Sequence, residues 1–151
     1  MDVLRRNTDY ALRAMVGLAR QDGQEPVSAR WLAKEQDMPY QLTCKILQKL
    51  HNARLVESCM GPKGGFRLSR KPSRISLRDV IEVVQGPVQL NRCLLGVSEC
   101  PRWPKCAVSK RLADLQRHID GYLGEITLDE LLTSRSMKKP KTKGKPGRKN
   151  V

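Results

Sequence analysis

Cys93, Cys100 and Cys106 lie in one stretch, Cys-Leu-Leu-Gly-Val-Ser-Glu-Cys-Pro-Arg-Trp-Pro-Lys-Cys, with six and five residues between successive thiols. No single regular element accommodates both gaps, and Gly96, Pro101 and Pro104 interrupt any that would run through the stretch. Proline fixes its own φ, so a loop stiffened by two of them can aim several thiolates at one point, as a metal or cluster site requires. The short C-x2-C pairs of structural zinc are absent. Zinc or a thiol switch nevertheless stays open as a second reading, beside an irregular loop with incidental thiols. A thiol-dependent enzyme is a remote reading, because no C-x-x-C motif or evident base accompanies the cysteines. No nucleotide-binding glycine loop or catalytic triad pattern appears, so no small-molecule substrate is expected. Cys44, Cys59, His51 and His118 are read as packing or surface residues.

The chain of 151 residues carries a formal net charge of +14. Seven basic residues and no acid fall between Met137 and Val151, which leaves +7 on the rest. A body that stays basic points to a polyanion such as nucleic acid. The tail, rich in Lys, Pro and Gly, is expected to be disordered. There is no apolar run long enough for a bilayer, and Met1-Asp-Val-Leu-Arg-Arg lacks the hydrophobic region of a signal peptide. The expected setting is the cytoplasm, with no membrane partner. In a reducing compartment an odd set of five cysteines favours ligation or redox chemistry over disulfides.

The elements that would position these thiols can be taken in order. Ala11, Met15, Leu18 and Ala19 recur at helical spacing, predicting a helix from about Thr8 to Gln21 with Thr8 as N-cap and Asp9 in its first turn. Ser28 caps a short second helix, and Pro39 is the expected first residue of a third that runs to about Ala53. On that third helix Leu42, Ile46, Leu50 and Ala53 form the apolar stripe. Gln41, Cys44, Lys45, Gln48 and Asn52 lie opposite it with no acid among them. Amides and a lysine suit base edges and phosphates in a major groove. Leu55–Cys59 and Phe66–Ser69 alternate like strands around Gly61-Pro62-Lys63-Gly64-Gly65. This is a hairpin wing, with Lys63 and Arg67 as DNA contacts and Gly64 allowing close backbone approach.

Ser76 and Asp79 then make a capping box, with Ile75 and Val80 as its staple, for a fourth helix that stops at Gly86-Pro87. After Cys106, the positions Val108, Leu112, Leu115, Ile119, Tyr122 and Ile126 follow a heptad seam. Pairing with an identical helix explains so narrow a stripe, so a homodimer is expected. Thr127 opens a last short helix. The expected class is mainly α with a small β-hairpin wing: a winged helix-turn-helix plus a long dimerisation helix. The divisions are a DNA-binding domain (1–86), the cysteine loop (87–106), the dimerisation and terminal helices (107–136) and the basic tail (137–151). The expected partner is double-stranded operator DNA.

Thr8-Asp9-Tyr10-Ala11-Leu12-Arg13, Gly61-Pro62-Lys63-Gly64-Gly65-Phe66, the three loop cysteines and Ile126-Thr127-Leu128-Asp129-Glu130-Leu131 together resemble the Rrf-two-type family of bacterial winged-helix regulators, up to about Ser134. The resemblance implies a transcription regulator, by preference a repressor, acting as a homodimer on palindromic DNA. It also implies an iron-sulfur cluster, [4Fe-4S] or [2Fe-2S], held by Cys93, Cys100 and Cys106, as a sensor of nitric oxide, redox or iron-sulfur status. IscR-like members would place a histidine where this chain has Ser109. NsrR-like members use an aspartate of the partner's first helix, a position matched by Asp9. The first gap between cysteines departs from the family spacing.

Overall fold

The computed structural model of the chain describes residues 3–95, 100–102 and 105–133, apart from the side chains of Cys93 and Leu95. The order is α1 (Arg6–Ala19), α2 (Ala29–Glu35), α3 (Tyr40–Asn52), β1 (Val56–Cys59), β2 (Gly65–Leu68), a 3-10 turn (Pro72–Arg74), α4 (Leu77–Gln85), a second such turn (Arg92–Leu95), α5 (Ala107–Glu125) and α6 (Leu128–Thr133). The mainly helical class with one hairpin wing is therefore correct.

Helix α1 is the central rod. Ala11, Ala14, Met15 and Leu18 are buried and pack with Leu32, Leu47, Leu50, Val80 and Leu128 in one core. Each large aliphatic side chain fully buried there contributes about 1.5–3 kcal/mol. Thr8, expected as the N-cap, lies inside the first turn; Arg5 flanks the helix in extended conformation. The Arg5 carbonyl accepts from the N–H groups of Thr8 (2.8 Å) and Asp9 (3.2 Å), so the helix starts earlier. The freed Thr8 hydroxyl is buried and donates to Gln85 Oε1 at 2.6 Å. The far end stops at Ala19, short of Gln21. There the N–H groups of Gln21 and Asp22 tighten onto Leu18 and Ala19 at 3.0 and 3.2 Å.

Ser28 caps α2 as expected, accepting from the Trp31 N–H at 3.1 Å. Pro39 is the flanking residue of α3 and not its first helical one, with ψ at 127°. The buried side of α3 is Thr43, Ile46, Leu47 and Leu50, while Ala53 lies exposed beyond the helix end. Because α3 packs against α1, α2, α4 and β1, its covered face is broader than the expected stripe and reaches Leu47.

The strands pair antiparallel with Glu57 opposite Arg67 and Cys59 opposite Gly65. Val27 adds a bridge to Phe66, with N–H···O distances of 3.0 and 2.7 Å in the two directions. This fixes the wing to the loop between α1 and α2. Both arms of the Ser76–Asp79 capping box form, at 2.9 and 3.2 Å, and Ile75 and Val80 are fully buried beside it. Helix α6 returns to this corner. The N–H of Leu77 reaches Ile126 O (2.9 Å), and that of Leu128 reaches Ile75 O (3.0 Å). Thr127 donates to Asp129 Oδ1 at 2.5 Å in the first turn of α6.

Helix α5 packs against α4 on one side. Of its apolar seam, Val108, Leu115 and Tyr122 are 65, 49 and 63 % exposed, whereas Leu112 and Ile119 are half-buried. Among the described residues no helix is long and apolar enough to cross a membrane. The basic tail lies outside the described residues.

Candidate functional site

Packing of α3 by one side leaves the other in solvent. Gln41, Lys45, Gln48 and Asn52 are exposed on it and Cys44 is half-buried. Gln48 Nε2 donates to Asn52 Oδ1 at 3.0 Å, so two adjacent amides are held in fixed relation. Sequence reasoning missed two exposed aromatic side chains, Tyr40 at the start of α3 and Trp31, which lines a hollow with Lys63 and Gly64 of the wing. Tyr40 opens α3 with 47 % exposure, and Arg30 of α2 lies over its ring, 5.0 Å from the centroid. The signal for Tyr40 was present: a residue after a helix-flanking proline that falls outside the apolar stripe.

In the wing, Lys63 Nζ pairs with Glu25 at 3.2 Å, and Arg67 reaches Glu57 Oε2 at 2.9 Å through both Nε and an Nη. The hydrogen bond that Arg67 donates to Glu57, helped by the nearby Cys59 sulfur, holds the guanidinium still more firmly charged than usual. Both proposed wing contacts therefore have an acid partner within the chain. Gly64, expected to admit DNA, is required by the turn itself. A Cβ there would stand 2.4 Å from Cys59 O and 2.7 Å from Gly61 O. Gly65 has φ +157°, and a Cβ on it would meet Val27 O at 2.3 Å.

Of the loop thiols, Cys100 and Cys106 are half-buried and free. Cys106 immediately precedes α5. The N–H groups of Ser109 and Val108 draw its thiol below the usual pKa, with a smaller contribution from Arg102. An anion at a helix N-terminus gains from the unpaired N–H groups there. Pro101, Arg102, Lys105 and Cys106 line a hollow of about 450 Å³. Cys106, with Arg102 and Lys105 beside it, is a donor of the kind a thiolate-ligated group uses, although no cluster of three or more potential metal ligands occurs among the described residues. Cys93 falls in the second 3-10 turn, but convergence of all three thiols lies outside the described residues.

Asp9 is exposed on the first turn of α1 and pairs with Arg13 at 2.9 Å. Ser109, where an IscR-like chain would carry histidine, is buried and donates to the Cys106 carbonyl at 2.9 Å. His118 and His51 are exposed; their Nδ1 atoms face Asp114 O (2.8 Å) and Val56 O (3.1 Å).

A family model named Rrf2, described as an iron-dependent transcriptional regulator, matches residues 4–134. The HTH-type transcriptional regulator IscR of Vibrio parahaemolyticus is 32% identical over 124 residues, spanning 82% of this chain and 73% of that protein. Among solved structures, IscR of T. potens superposes with a TM-score of 0.68 at 27% identity, covering 85% of each chain. CymR of Staphylococcus aureus superposes with a TM-score of 0.70 at 26% identity, covering 87% of this chain and 99% of that one. The helix-turn-helix, the wing and these likenesses lead to one conclusion: the chain belongs to the Rrf2 family of winged-helix, DNA-binding transcriptional regulators, a family of regulators and not of enzymes.

Proposed function

We propose that this regulator acts in the cytoplasm as a homodimeric repressor whose iron-sulfur cluster sets its affinity for double-stranded operator DNA. The observation that carries the cluster reading is Cys106: a free, half-buried thiol immediately before α5, lining a hollow together with Pro101, Arg102 and Lys105. Cys93, Cys100 and Cys106 would hold the cluster, with Asp9 of the partner subunit as fourth ligand. When bound, a thiolate-held cluster supplies sensing chemistry, being open to attack by nitric oxide, oxygen or iron loss.

The chain's own residues would carry the signal. Cys106 immediately precedes α5, its carbonyl held by the Ser109 hydroxyl, and the seam of Val108, Leu112, Leu115, Ile119 and Tyr122 would join α5 to its counterpart. Asp9 stands on α1, which packs directly against α3. A displacement of α1 by about 1–2 Å would misplace both recognition helices on half-sites about one DNA turn apart. A coupling of about 1–3 kcal/mol is enough to switch occupancy. Gln41, Cys44, Lys45, Gln48 and Asn52 would read the groove, with Lys63, Gly64 and Arg67 at the wing. The divisions at 1–86, 87–106, 107–136 and 137–151 describe the same scheme.

A thiol switch or zinc is the second reading, and the free Cys106 thiol favours it too. Anaerobic purification with iron and acid-labile sulfide analysis and a visible spectrum separates them. Iron and sulfide with a coloured chromophore are expected; a colourless protein with zinc and no sulfide refutes the cluster.

A further inference from the structure

Two glutamines, one on each side of the cysteine loop's entry, grip non-helical backbone in the same way. Gln85, the last residue of α4, accepts from the Arg5 N–H at 2.9 Å and donates to Val3 O at 3.0 Å. Its Oε1 also accepts the Thr8 hydroxyl. Gln116, halfway along α5, accepts from the Leu90 N–H at 3.0 Å and donates to Val88 O at 2.7 Å. Its Nε2 is further held by Asp120 Oδ1 at 2.9 Å. In each case one side-chain amide satisfies the C=O of a residue and the N–H two positions on, as a neighbouring strand would. Pairs of this kind fix both position and direction of the gripped segment.

Only Gly86 and Pro87 separate Gln85 from Val88, and Gly86 turns the chain with φ +87°. Val88 is itself buried. The clasps therefore act in series: α5 holds the loop entry through Gln116, and the loop entry continues into α4, which holds the start of α1 through Gln85. Asp9 is the residue after Thr8, the hydroxyl that Gln85 accepts.

We propose that Gln85 and Gln116 are the positioning residues that couple the state of the cysteine loop to the DNA-reading head. The proposal rests on the cluster reading above. Beside the packing of α4 on α1 and α5, the two amides give loop motion a directed, hydrogen-bonded path to the start of α1. An amide without partners in this half-buried setting would be penalised, so the grips persist or break as units.

The test uses full-length protein, purified anaerobically and compared with the same protein after cluster removal, on a duplex selected from a random pool. Wild-type affinity is expected to differ between the two states by about fivefold or more. Gln116→Met and Gln85→Met keep the side-chain length but remove the amide. Each is expected to retain iron and sulfide while the affinity ratio falls by at least about half, and, because the clasps act in series, the double variant falls little further than the more affected single variant. A role in stability alone would weaken both states equally and leave the ratio unchanged; that result overturns the proposal. Should a Met variant not fold, hydrogen exchange on the wild type decides. Cluster removal is expected to deprotect the Leu90 and Arg5 amides together, and deprotection of Leu90 without Arg5 overturns the coupling. A wild-type protein without iron or sulfide refutes the cluster reading itself, and the proposal with it. Iron and sulfide with an unchanged ratio in the variants overturns the clasps alone.

Discussion

Gly65→Ala separates two roles for the wing glycines, close approach to DNA and construction of the wing. Gly65 has φ +157°, and an added Cβ would lie 2.3 Å from Val27 O and 2.5 Å from Val27 C, inside any real contact distance. Relief requires Val27 and the wing to part. That removes the pair Val27 N–H to Phe66 O (3.0 Å) and Phe66 N–H to Val27 O (2.7 Å). Two such bonds are worth about 1 kcal/mol each, and the backbone conformation costs an alanine about 1–3 kcal/mol more. A loss of about 3–5 kcal/mol is a large share of the stability of a domain this size, and lowers Tm by roughly 10 °C. A circular dichroism melt reads that shift. Fluorescence anisotropy on a random-sequence duplex should show weaker binding at temperatures where the variant is still folded, because the wing has lost its anchor. A melt within about 2 °C of wild type would refute this reasoning. Gly65 would then matter, if at all, through DNA approach.

Glu57→Gln releases Arg67 from its carboxylate, so binding to random duplex should tighten and its salt dependence steepen by about one phosphate contact, a slope change of roughly 0.9. An unchanged slope would place Arg67 away from the phosphates. Leu115→Asp puts a charge in the exposed seam of α5 and should convert the dimer to monomer in sedimentation experiments at micromolar concentration, with the helical circular dichroism spectrum preserved. A variant that still sediments as a dimer would move the interface elsewhere. Asp9→Ala removes an exposed ion pair with Arg13 worth under about 1 kcal/mol, so Tm should scarcely move. Cluster lifetime in air, followed by visible absorbance, should shorten severalfold; an unchanged lifetime would leave Asp9 with only its favourable place in the first turn of α1.

What could be read from the sequence depended on how far along the chain the deciding partner sits. Ser76 and Asp79 are three residues apart, and their capping box forms as expected. The solvent face of α3 follows from the helical period alone. Thr8 failed as a cap because its partner, Gln85, is 77 residues away and no local pattern announces it. The ion pairs that engage Lys63 and Arg67 likewise depend on the hairpin register and on Glu25 across the α1–α2 loop. Gly64 illustrates the same limit. Its type suggested an open approach for DNA, whereas the nearest atoms belong to the turn's own backbone. Leu47 entered the core in place of Ala53 because α3 is covered on several sides, which a single stripe does not reveal.

The most direct measurement of the central claim is the operator affinity of one anaerobic preparation, taken before and after stoichiometric nitric oxide, with iron and sulfide counted in the same sample. The expected result is iron and sulfide present at the start, loss of the visible chromophore, and an affinity change of about fivefold or more. Equal affinity before and after, in a sample whose cluster has demonstrably been lost, would contradict the claim that the cysteine loop governs DNA binding.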